Sequence, residues 1–126
     1  MAGWWEIGGR IRFGETSEQA AARSVAAETG LTFPTRRFQP FAAYMVMWKN
    51  RAQAPQQRGT HAIIIDHALI VSKQTFSKIH LNPEEYTGET MLLAPREVLI
   101  KVKQGILLPY FQTVVGDLRR ARLLDA

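Results

Sequence analysis

The chain contains no cysteine. Disulfides and thiolate metal sites are therefore excluded, and a reducing compartment fits, so a cytoplasmic location is the expectation. It has no apolar run of the length that spans a bilayer. The opening residues, MAGWWEIGGR, lack the apolar core of a secretory signal. No internal repeat, low-complexity tract or linker interrupts the 126 residues, so one domain over residues 1–126 is expected. Acidic residues are fewer than basic ones, 11 against 16, and the net charge of +5 suits an anionic ligand. The basic surplus is dispersed in three places: Arg36 with Arg37, Lys101 with Lys103, and Arg119 and Arg120 with Arg122. None of these is interleaved with aromatics as a base-stacking surface is, so nucleic acid ranks low as a partner. The plainer account of each cluster is solvated surface charge. What is present, 46% apolar and 21% charged residues, is the composition of a globular protein able to bury a core.

Along the chain, Trp4, Trp5, Glu6 and Ile7 read as a short strand ending at Gly8 and Gly9. Thr16 is a candidate helix N-cap, with Gln19 three residues on completing a capping box. The helix is expected to run to about Glu28 or Thr29, with Gly30 as its C-cap. Residues 37–48 read as a strand interrupted near Pro40, and residues 49–59 as a polar loop. Residues 60–72, THAIIIDHALIVS, form the strongest strand pattern. The run Ala62, Ile63, Ile64, Ile65 is apolar on both faces and predicts a covered, central strand. Residues 81–90, LNPEEYTGET, read as an acidic loop and residues 91–93 as a short strand. Pro95 then opens a helix to about Val102. Phe111, Val115 and Leu118 recur at helical spacing and predict a last amphipathic helix. Alternating strands and helices predict an α/β layered domain.

The most informative stretch is residues 9–31, GRIRFGETSEQAAARSVAAETGL. It follows the spacing G-x5-E-x7-R-E-U-x-E-E-x-G-U, with U a bulky aliphatic, at Gly9, Glu15, Arg23, Val25, Glu28, Gly30 and Leu31. It departs from that pattern at Ser24 and Ala27. The stretch resembles the Nudix box, the signature of metal-dependent hydrolases of nucleoside diphosphates linked to another moiety. The resemblance implies an α/β/α sandwich with a mixed sheet. It also implies that Gly9, Glu15, Arg23 and Gly30 support the site. Nudix domains begin with a strand and connecting segment before the Trp-x-x-x-Gly-Gly element, and here Trp4 is the fourth residue. Relative to the family the chain is thus expected to be N-terminally truncated, with a homodimer or a raw sheet edge as the consequence.

Residues 24, 27 and 28 fall on one helical face, where three carboxylates would hold divalent cations. Here Glu28 alone remains, so further donors must come from elsewhere. The GDP-mannose mannosyl hydrolase branch of the family is similar in lacking the same two acids and in carrying Gly-Gly-Arg, here Gly8, Gly9 and Arg10. That likeness implies one Mg²⁺, or Mn²⁺, held by the Gly8 carbonyl, Glu28 and a later side chain. It implies attack at the sugar carbon, with Arg10 against the diphosphate neutralising the leaving group. Glu84, Glu85 and Glu89 are candidates for the third ligand, and Glu85 is chosen by register; a solvated acidic turn is the plainer account of all three. The branch's His base is absent from this loop, so a carboxylate is the candidate base. The branch also has a Thr-His pair where Thr60 and His61 stand, which makes His61 a candidate substrate contact. Tyr44 and Trp48 could stack on a base or sugar, although aromatics on a strand are commonly core.

The expected function is a hydrolase of a nucleoside diphosphate derivative, chiefly a nucleotide sugar. The alternatives are a catalytically weak binder of the same ligand and an interaction domain that kept the fold alone. Gly8, Gly9, Arg10 and Glu28 favour the first, and Ser24 and Ala27 favour the others.

Overall fold

A computed structural model describes residues 5–48, 59–81, 83 and 90–124. In chain order they form helix α1 (Ser17–Thr29), a 3-10 turn (Thr35–Arg37), strands β1 (Gln39–Trp48) and β2 (Thr60–Ala68), and helices α2 (Lys73–Phe76), α3 (Pro95–Lys103) and α4 (Tyr110–Arg120). The architecture is α+β, with a two-stranded antiparallel sheet among the described residues.

Local chemistry accounts for the helix ends. The Thr16 hydroxyl accepts from the Gln19 N–H at 3.1 Å, and the Gln19 side chain accepts from the Thr16 N–H at 2.8 Å. This reciprocal pair satisfies two of the donors that a helix start leaves open. Gly30 ends α1 in the left-handed region, φ 76°, which suits a residue without Cβ. Pro95 opens α3, and the Glu97 side chain accepts from the Ala94 N–H at 3.0 Å. α2 is a single turn capped by the Ser72 hydroxyl, which accepts from the Thr75 N–H at 3.1 Å.

The sheet pairs Trp48 with Thr60 at one end and Gln39 with Ala68 at the other. Its register slips between Pro40 and Ala42, where a proline that cannot donate to a ladder is accommodated by a bulge. Alternation then divides the side chains. Ala42, Tyr44, Val46, Ala62, Ile64 and Asp66 are covered to different degrees, whereas Met45, Met47 and Ile63 are exposed. α4 meets the first set through Tyr110, which contacts Tyr44 and Asp66, and through Asp117, which bonds Tyr44. α1 meets the other side near the end of β2, where His67 Nε2 lies 3.0 Å from Ser17 Oγ.

Four sequence expectations differ from this arrangement. Residues 5–7 are not a strand, because no neighbouring strand offers them a ladder among the described residues. β2 ends at Ala68 rather than Ser72. It is also not covered on both faces, since Ile63 is 69% exposed. Residues 91–93 form no strand. Of the loop expected at residues 49–59, residues 49–58 lie outside the described residues. No helix among the described residues is long and apolar enough to cross a membrane.

Candidate functional site

Residues 5–10 carry no regular structure and lead into a turn at which Gly14 adopts φ 88°. The turn is folded onto α1 by one carboxylate. Glu15 Oε1 accepts from the Arg12 N–H at 2.7 Å and from Arg23 Nη2 at 3.0 Å, while Oε2 accepts from Arg23 Nε at 2.8 Å. The same Arg23 Nη2 donates to the Arg10 carbonyl at 2.7 Å. A guanidinium fork on a carboxylate is both directional and charge-assisted. The Arg23 hydrogen bonds, followed by the Arg12 N–H, hold the Glu15 carboxyl down at about 2, and Glu15 in turn pushes Arg23 up.

The inward face of α1 is polar. Ser24 and Glu28 are 6% and 7% exposed, one helical turn apart, while Ala27 points outward. Gly9 lies against Ser24 so closely that a Cβ at Gly9 would stand 2.7 Å from Ser24 Oγ. The missing side chain is what lets the backbone of the glycine segment reach the helix. Glu28 is four residues beyond Ser24, about 6 Å along the axis. It occupies the last turn of α1, where the macrodipole is negative and a buried carboxylate does not help the helix. The arrangement brings a glycine backbone and one carboxylate to the same helical face. Arg10, next in the chain, is exposed, as are Gly8 and Gly9.

The other candidate residues are placed differently. His61 is exposed near the start of β2, opposite Met47. Tyr44 is half-buried; its hydroxyl donates to Asp117 Oδ2 at 2.7 Å and its ring stands edge-on to Tyr110 at 5.0 Å. That places Tyr44 in the interior aromatic cluster, where its hydroxyl and ring are already engaged. Glu84, Glu85 and Glu89 lie outside the described residues. Among the described residues, no group of three or more His, Asp or Glu side chains is placed to hold a metal ion.

One constellation has no counterpart in the sequence reading. The Tyr110 hydroxyl bonds to Glu6 Oε1 at 2.7 Å and, closer still, to Asp66 Oδ2. Asp66 is 5% exposed. One phenolic proton cannot serve two ionised carboxylates, so one carboxyl carries a proton of its own. Burial first, and then the neighbouring Asp66, push Glu6 up to about 8. Burial and the two carboxylates push Tyr110 upward, and burial with Asp117 does the same to Tyr44. Trp5 stacks on the Tyr110 ring at 5.1 Å and meets Phe111 edge-on at 5.6 Å. The three polar members come from the N-terminal segment, β2 and α4, and no local spacing connects them.

A cavity of about 380 Å³ opens beside this cluster, walled by Glu6, His67, Phe41, Leu69, Val114 and Leu118 among others. Its lining includes none of Gly8, Gly9, Arg10, Ser24 or Glu28. The cavity and the glycine–helix face are therefore separate features. No protein-family model matches the chain, and no curated protein matches it either.

Proposed function

We propose that the chain is a Nudix-like protein that binds a nucleoside diphosphate derivative, chiefly a nucleotide sugar, and hydrolyses it with one Mg²⁺ or Mn²⁺. The observation that carries this reading is the approach of Gly9 to Ser24, one turn from the buried Glu28. It supports the proposed donor pair, the Gly8 carbonyl and the Glu28 carboxylate. Both are hard oxygen donors of the kind that Mg²⁺ and Mn²⁺ take. Glu85 is the proposed third donor on the family resemblance alone. When bound, the cation supplies charge stabilisation to the diphosphate.

The protein's own groups then have distinct tasks. Arg10 is exposed and two residues after Gly8 in the chain, and its guanidinium would match two phosphate oxygens and neutralise charge as a diphosphate leaves. The Glu15–Arg23 fork, which also holds the Arg10 carbonyl, keeps that segment on α1. A mixed-sheet α/β/α sandwich is part of the same proposal.

Ser24 supports a second reading. It stands on the inward face where the family carries another carboxylate, so the protein binds the ligand without turning it over. One experiment separates the two. Nucleotide sugars are incubated with Mg²⁺ and either the wild type or Glu28→Gln. Free sugar with intact nucleoside diphosphate supports attack at carbon, and nucleoside monophosphate supports attack at phosphorus. Thermal stabilisation by a nucleotide sugar without turnover supports the binder. Turnover that is unchanged in Glu28→Gln overturns the site.

A further inference from the structure

The segment that presents Gly8, Gly9 and Arg10 has few ties of its own. Residues 5–10 belong to no helix or strand, so no regular ladder holds them. Downstream, Arg23 Nη2 grips the Arg10 carbonyl at 2.7 Å. Between that grip and Ile7 stand two glycines, the residue type that loses most conformational freedom on ordering. The Arg23 grip and the packing of Gly9 on Ser24 hold the downstream side, and Gly8 and the residues before it need a hold of their own. The upstream end is fastened to α4, where Trp5 meets Phe111 edge-on at 5.6 Å and Tyr110 makes both a ring contact and the polar one. Tyr110 bonds Glu6 at 2.7 Å through its hydroxyl and stacks on Trp5 at 5.1 Å through its ring.

We propose that Tyr110 is a positioning residue that clasps the glycine segment to the sheet and to α4. Its hydroxyl joins Glu6 to Asp66 of β2, and its ring joins Trp5 to Tyr44 of β1. The clasp and the Arg23 grip lie on either side of Gly8 and Gly9. Together they fix where the Gly8 carbonyl and the Arg10 side chain stand. The role assigned to those two groups rests on the function proposed above, whereas the clasp itself rests on the contacts of Tyr110.

The molecule contains its own control. Tyr44 makes a phenol–carboxylate bond of the same length, 2.7 Å, to Asp117. It belongs to the same aromatic cluster, and its hydroxyl joins β1 to α4 without touching residues 5–10. Tyr110→Phe and Tyr44→Phe both keep the ring and lose a hydroxyl, which meets two carboxylates at Tyr110 and one at Tyr44, so the deciding readout is the local order of residues 7–10 and not global stability. Backbone ¹⁵N order parameters of residues 7–10 distinguish the two. In the wild type they are expected near the rigid-backbone value of about 0.85. In Tyr110→Phe they fall below about 0.6, and in Tyr44→Phe they do not change. Glu6→Gln, whose amide still bonds the phenol, retains the wild-type order, and Glu6→Ala loses it as Tyr110→Phe does. The dissociation constant of GDP with Mg²⁺ rises about tenfold in Tyr110→Phe and stays constant in Tyr44→Phe, the tenfold being a coupling of typical size. Unchanged order in Tyr110→Phe, or an equal fall in Tyr44→Phe, overturns the clasp. Absence of GDP and nucleotide-sugar binding by the wild type overturns the functional reading instead, and the order parameters still decide the clasp.

Discussion

Helices α1 and α4 both pack on the β1–β2 hairpin, yet they turn opposite kinds of surface inward. α4 contributes Tyr110, Phe111 and Val115, with Val115 only 6% exposed. α1 contributes Ala20, Ser24, Glu28 and Thr29, among which there is no large apolar side chain. Burial of a single large apolar side chain contributes about 1.5–3 kcal/mol, so α4 is held chiefly by packing. α1 is held by devices that need no core: a capping box, an αL glycine and the Glu15–Arg23 fork. The difference shows where the fold tolerates polar burial. A carboxylate and a serine occupy the interior face of α1, where Gly9 stands against Ser24, and local rules are broken most often where a site is built.

The largest expected effect tests whether α4 is the stability side of this pair. Tyr110→Ala removes a ring packed on Trp5, Tyr44 and Phe111 together with two hydroxyl contacts. It is expected to cost on the order of 3–5 kcal/mol in urea denaturation, the range for large aromatic truncations. Ser24→Ala, at a more deeply buried site on α1, is expected to change stability by less than about 1 kcal/mol. Similar losses at the two sites would remove the distinction between the helices.

The same contrast governs what could be read from the sequence. The α1 unit is local. Thr16 with Gln19 and the Gly30 stop follow from spacing, whereas Glu15 and Arg23 are singled out by the family resemblance and the fork between them is seen in the structure. Pro95 and the Phe111, Val115, Leu118 stripe are local signals too, and α3 begins at Pro95 and α4 contains the stripe. The Tyr110 cluster is not local: its two bonds span 104 and 44 residues of chain. No periodicity connects Glu6, Asp66 and Tyr110. Asp66 in an otherwise apolar strand was the one visible hint, since a carboxylate there must find a partner. Over residues 5–7, the described part of the strand expected at 4–7, no strand forms for a related reason. Its Trp and Ile residues have strand propensity, but propensity does not supply a neighbour.

Acid and alkali should act on the two regions in opposite senses. Glu15 is held down at about 2 by Arg23 and the Arg12 N–H. Its contribution is present above the ordinary carboxylate range and is lost as pH falls toward about 2. Glu6 is pushed up to about 8 by burial and by Asp66. Its folded form keeps a proton that the unfolded chain releases. Its contribution is therefore complete below the ordinary range and is lost as pH rises toward about 8, by on the order of a few kcal/mol in total. The thermal midpoint is thus expected to be highest in mildly acidic buffer and to decline on both sides. Glu6→Gln should flatten the alkaline side, and Glu15→Gln the acid side, by the smaller amount that suits a more exposed pair. An alkaline limb that survives in Glu6→Gln would assign the shared proton to another group.

The smallest effects lie at the helix ends, and here the two helices invert their roles. α1 stops at Gly30 with φ 76°, and an added Cβ would meet no atom within 4 Å there. Gly30→Ala therefore carries a backbone penalty alone, about 1 kcal/mol for an L-residue in the left-handed region. α4 stops in the same geometry at Arg122, φ 61°. The Leu123 N–H returns to the Leu118 carbonyl at 2.9 Å and the Arg122 N–H to the Arg119 carbonyl at 3.0 Å. This is the double closure of a Schellman stop, with arginine at the position glycine favours. Arg122→Gly relieves about 1–2 kcal/mol of steric cost and adds about 0.5–1 kcal/mol of unfolded-chain entropy. The net expectation is a gain of about 0.5 kcal/mol, a rise of a few degrees in melting temperature for a domain of this size. The well-packed helix thus has the strained end and the polar helix the relaxed one. A fall in melting temperature for Arg122→Gly would mean that the arginine side chain holds the α4 terminus through contacts worth more than its backbone strain.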